Sequence, residues 1–172
     1  MAGVNQARTL LLCLGNDLLR DDGVAWEVAS AIETVGDMPA GVVIRRSPVS
    51  GFYLLDELTG YQQALVVDAI HTGVHRPGTV LSFPFEALGT DAGPSPHAVG
   101  LPTVVKLGRQ SGVPLPDRIH IVAIEVLDME SVAEGLTGAV RAAVPRAVAV
   151  VREELDRMTR PNHSRSTLGV VT

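Results

Sequence analysis

LLLCLGNDLLRDDGVAWEVA, Leu10 to Ala29, runs a buried strand straight into a helix and sets two carboxylates at the junction. Leu10 to Leu14 is wholly apolar, Gly15-Asn16 is a turn dipeptide, and Val24, Val28 and Ile32 then recur at the spacing of one helical face. A strand with no polar side belongs inside a sheet that helices cover on both faces. In open α/β sheets ligands sit beyond the carboxyl ends of the strands, and Asp21 and Asp22 lie in the loop that leaves this one.

Downstream, Val42-Val43-Ile44 reads as a second strand, Phe52 to Leu58 as a short helix after the Ser50-Gly51 turn, and Ala64 to Val67 as a third strand ending at Asp68. This alternation implies right-handed crossovers and a largely parallel sheet. Only about ten residues, rich in Gly, His and Pro, separate Asp68 from the apolar run Thr79 to Phe83, too few for a helical crossover. The fourth strand is therefore expected to run antiparallel at an edge, ended by Pro84. A loop from Glu86 to Pro96 leads to a helix around Ala98 to Gln110, with Pro102 in its first turn and Gly112 as its stop. Ile119 to Val126 is the expected fifth strand. The last helix carries Val140, Val144, Val148, Val151, Leu155 and Met158 on one stripe, with Thr137 as N-cap and Pro145 as a kink. The expected fold class is α/β, with a five-stranded, mostly parallel sheet and one antiparallel edge strand, in a single domain over residues 1–158. Residues 159–172 are polar and patternless and are expected to be disordered.

Composition narrows the function. With 172 residues, 46% of them hydrophobic, the chain has material for one good core and too little for two ordinary domains. Aromatics make up only 3%, so that core must be aliphatic. The net charge of −5 and the absence of a basic run argue against nucleic acid and anionic membrane as partners. One cysteine, Cys13, excludes an internal disulfide and a four-cysteine zinc site. Neither a signal segment nor a membrane span is visible, and a soluble, cytoplasmic protein is expected.

Three residues stand out as chemistry. Asp22 reads as a ligand or catalytic carboxylate, although an acid at a helix start also serves as a cap; Asp21 can cap while Asp22 faces the cleft. Asp68 directly follows a buried run, where a charge is costly unless paired, metal-bound or solvated. His97, in PSPHAVGL between a loop and a helix, is a ligand or base candidate, and equally a surface histidine. His71 and His75 are rivals on a flexible loop and are expected to be solvent-exposed. Two carboxylates and an imidazole suit nickel, zinc, cobalt or manganese, with coordination positions left open. Cys13, inside an apolar strand, is expected to be inert, and there is neither a G-x-G-x-x-G nor a P-loop lysine for a nucleotide.

GNDLLRDDG (Gly15 to Gly23), VVDAI (Val66 to Ile70) and SPHAVGL (Ser95 to Leu101), in that order and spacing, resemble the signature segments of the nickel-iron hydrogenase maturation endopeptidases. The likeness runs from about Thr9 to Met158 and includes the GLT turn, Gly135 to Thr137, before a proline-containing last helix. It implies a three-layer α/β/α fold with a twisted sheet between helices, and metal binding by Asp22, Asp68 and His97. It also implies an aspartic-type endopeptidase that removes the C-terminal extension of a hydrogenase large-subunit precursor after nickel insertion. The nickel comes with the precursor, and no organic cofactor is implied. Where the family usually has glycine this chain has Cys13 and Ala25, and its loop after the second strand, Ser47 to Gly51, is SPVSG rather than Gly/Thr-rich. The competing readings are a nickel-binding accessory protein that does not cleave, and a small-molecule-binding α/β domain whose acids are structural.

Overall fold

The computed structural model of the chain describes residues 9–88 and 100–160. Five strands, β1 (Thr9–Leu14), β2 (Val42–Ser47), β3 (Gln63–Ile70), β4 (Val80–Pro84) and β5 (Arg118–Glu125), form one sheet in the order β2-β1-β3-β5-β4. β1 pairs parallel with β2 and β3, β3 pairs parallel with β5, and β4 runs antiparallel on β5 at the edge. The helices are α1 (Val24–Val35), α2 (Leu54–Leu58), α3 (Leu101–Gln110) and α4 (Gly138–Thr159).

Successive strand residues point to opposite faces, so the apolar strands build two cores. Leu11, Cys13, Leu65, Val67, Val122 and Ile124 pack on one face with Val28 and Ile32 of α1 and Val151 and Leu155 of α4. On the other face, Leu10, Leu12, Val66, Ile119 and Ile121 meet Leu54 and Leu58 of α2 and Val104 and Val105 of α3. The expected α/β/α layering with one antiparallel edge strand is the observed fold.

Several local expectations need correction. β3 does not end at Asp68 but continues through Ile70, because Ala69 and Ile70 pair with Ile124 and Glu125. β4 is the expected antiparallel edge strand, and its partner is β5, which lies between it and β3. At about 4.8 Å between strands the connecting segment easily spans the intervening one. Thr137 stands at the expected N-cap position of α4 but makes no side-chain capping bond there, and Pro145 lies inside the helix. α3 begins at Leu101 behind Gly100, whose φ of 84° needs glycine. The tail 161–172 and residues 89–99 lie outside the described residues.

Candidate functional site

β1 sits between β2 and β3, and the chain leaves it over one face through α1 to reach β2, then crosses the opposite face through α2 to reach β3. The connections therefore diverge at the carboxyl ends of β1 and β3. Such a switch point opens a crevice at the sheet edge, the usual place for a ligand in this architecture.

Both candidate carboxylates of the described chain are found there. Asp22 lies in a single 3-10 turn, Arg20–Gly23, that follows β1 and packs against β3. Asp68 lies in β3 one position beyond Val67, which pairs with Cys13 near the end of β1. Each is only 2% exposed, so neither carboxylate stands in open solvent. Carboxylates at that depth demand compensation by donors or a cation. A glycine makes the placement possible. A Cβ on Gly15, whose φ is 153°, would stand 2.1 Å from the carbonyl oxygen of Asp22, so only glycine lets the turn close onto the strand end.

Asp21 does something the sequence does not reveal. Rather than capping its own helix, its buried carboxylate accepts hydrogen bonds from the backbone N–H groups of Leu127 (3.1 Å), Asp128 (3.1 Å) and Thr137 (2.7 Å) and from the Thr137 hydroxyl (2.8 Å). It pins the whole β5–α4 connection beside the crevice. Backbone bonds complete the joint: Arg20 N–H donates to Ala133 O, and Ala133 N–H to Leu18 O. Arg20 pays for this with a φ of 28°, strained for a residue with a side chain.

Glu125, at the carboxyl end of β5, is a second such anchor, also missed. It is 1% exposed and accepts from the N–H groups of Thr72 and Gly73 and from the Thr72 hydroxyl, fixing the loop after β3. An acid within an apolar run marks Glu125 in IVAIEV as it marks Asp68 in VVDAI. That signal was available.

On the α3 face a cavity of about 150 Å³ reaches Asp68 and is otherwise lined mainly by Val66, Ile70, Leu81, Phe83 and Ile121. A larger cleft of about 300 Å³, beside α1, is lined by Asp17, Arg20, Trp26, Glu27 and Arg46 and touches neither Asp22 nor Asp68. The site is thus placed by the carboxylates and the topology, not by cavity size. His97 lies outside the described residues, and among the described residues no three His, Cys, Asp or Glu side chains form a metal-holding cluster. Asp22 and Asp68 offer hard carboxylate oxygens, the donor type that could hold a divalent ion bringing further ligands with it. His71 and His75 are exposed, as expected. Burial pushes the Cys13 thiol up to about 12, so it carries no thiolate near neutrality and is no nucleophile.

The hydrogenase maturation protease family model matches residues 27–154, a span that contains Asp68 and His97 and begins just after Asp22. The chain is 30% identical over 153 residues to the hydrogenase 2 maturation protease of Escherichia coli (strain K12), covering 85% of this chain and 92% of that protein. It is 27% identical over 144 residues to the hydrogenase expression/formation protein HupD of Rhizobium leguminosarum bv. viciae, covering 82% of this chain and 70% of that protein. Among solved structures, the hydrogenase maturating endopeptidase HybD from E. coli superposes with a TM-score of 0.72 at 26% identity, covering 88% of this chain and 93% of that one.

Proposed function

This chain belongs to the hydrogenase maturation protease family, and from that premise we propose that it cuts the C-terminal extension from a nickel-loaded hydrogenase large-subunit precursor, with the nickel as the recognised feature. It is an endopeptidase of hydrogenase maturation; the substrate, its metal and the bond cut are the proposal. The observation that carries it is the pair of buried carboxylates, Asp22 and Asp68, brought to one switch point by separate elements. His97 completes the proposed set.

These side chains make an incomplete shell. Affinity becomes high only when a nickel ion already held by the precursor bridges the two proteins, so binding itself reports that the metal has been inserted. A precursor without nickel lacks the bridge. For the hydrolysis, the carboxylate oxygen not engaged on nickel accepts the proton of the attacking water and returns it to the leaving amine. Ligand and base are then different oxygens. The free thiol of Cys13 suits a reducing compartment, and we place the reaction in the cytoplasm.

The test is the mass of a nickel-loaded precursor after incubation with wild type, Asp22→Asn and Asp68→Asn. Because both acids are buried, asparagine keeps the volume and spares the fold better than alanine. We expect processing to fall by at least about a hundredfold, with thermal unfolding still cooperative. A folded variant that processes at the wild-type rate would overturn the site.

A further inference from the structure

Exposed apolar side chains on this molecule are not scattered. Leu18 follows β1, Phe52 and Tyr53 follow β2, Val74 follows β3, and Leu127 and Val132 follow β5, each between 55% and 84% exposed. Among the described residues, only Val35 and Leu107 are large, apolar and exposed elsewhere. The apolar surface is therefore gathered at the carboxyl ends of the parallel strands, the end of the sheet at which Asp22 and Asp68 lie. Concentrated apolar surface of this kind marks an interaction site, whereas isolated exposed residues need no explanation.

The loops that display it are held rigid. Leu18 and Val132 stand on segments joined by the Leu19–Ala133 bridge, and Leu127 is held through its own N–H by the buried Asp21 carboxylate. Glu125 holds the turn that presents Val74. A surface organised before it meets its partner loses little freedom on binding. Charge then specifies the partner. Asp17, Glu130 and Glu134 are exposed on the same loops as Leu18, Leu127 and Val132, so the apolar patch has an acidic border.

From this we infer that Leu18, Leu127 and Val132, with their acidic border, dock the folded body of the substrate protein on an apolar patch flanked by Lys or Arg, separately from the peptide segment that enters the crevice. The inference rests on the proposed function for the identity of the partner. A second copy of this chain is a poor occupant, since its own patch would set acid against acid.

The experiment measures processing rate against concentration of the nickel-loaded precursor, and its Kd by titration, for wild type, Leu18→Glu, Leu127→Glu and Val132→Glu. These side chains are exposed, so far-UV CD and Tm should match wild type. We expect KM and Kd to rise at least about tenfold in Leu127→Glu and Val132→Glu, with kcat within about twofold. Glu130→Lys should slow association and weaken its salt dependence. Unchanged KM and Kd in all the apolar variants would overturn the docking surface while leaving the protease reading intact. If wild type binds the precursor but leaves it uncut, the cleavage reading fails and the Kd comparison still decides docking. A self-association by sedimentation that Val132→Glu abolishes would assign the patch to a second copy and overturn the inference.

Discussion

Asp21 and Asp22 are neighbours with different duties, and nothing in the dipeptide itself says which is which. Asp21 holds donors from residues more than a hundred positions away, so its role exists only once β5 and α4 are in place. Asp21→Ala strands those donors in a buried setting, and we expect a loss of about 3–5 kcal/mol by urea denaturation, far more than the roughly 1 kcal/mol of a lost helix cap. A loss below about 1 kcal/mol would mean the network contributes little. His120 gives a pH signature. It lies 2.9 Å from the Ser82 hydroxyl and 3.7 Å from the buried Glu154. Desolvation chiefly, with help from Arg118 and Arg157 and against Glu154 and Glu86, lowers its pKa below the ordinary 6.5. The folded state then binds fewer protons than the unfolded state, so this contribution is present above pH 6.5 and is lost as pH falls below it. We expect Tm to decline between about pH 7 and 5, and His120→Gln to flatten that slope; an unaltered slope would remove His120 as its source.

At the scale of elements, the strands were legible because period and burial agree. Leu10 to Leu14 is fully buried on both faces, and the stripe of α4 from Val140 to Met158 packs as its spacing predicts. The end of β3 differs from the expectation, because a polar residue need not stop a strand. Asp68 sits inside β3 because Ala69 and Ile70 still have partners on β5, and tertiary pairing outweighs one buried acid. Pro145 lies in the interior of α4, on its exposed side. It donates no bond to the preceding turn and crowds it, so Pro145→Ala should stabilise the protein by about 1–3 kcal/mol, seen as a higher Tm. A lower Tm would show that proline stabilises α4 at this position.

At the scale of the molecule, function comes from topology. The strand order places the reversal between β1 and β3, and the loops gathered there carry the acids, their anchors and the exposed apolar residues together. The proposed bridging by the precursor's nickel has a measurable consequence. The isolated protein should bind nickel only weakly by calorimetry, and chelator should not stop the cutting of a precursor whose nickel is already inserted. A precursor lacking nickel should remain uncut even with enzyme in excess. Efficient cutting of that metal-free form would overturn the bridging mechanism, and activity lost to chelator and restored by zinc would point to a resident metal instead.

The α/β class, the antiparallel edge strand, the buried inert cysteine and the identity of the notable acids are readable from the residues alone, because each follows from spacing along the chain. Apolar blocks, helical stripes and a connection too short for a helix are local facts. Which strands are neighbours, hence where the switch point falls, and what each acid does there, follow only from the folded sheet. Asp21 ties a distant loop, Glu125 anchors another, and Asp68 is a strand residue in a cavity wall. These roles depend on donors and walls supplied by segments far away in sequence, and such partners are fixed only when the sheet closes and the two cores pack.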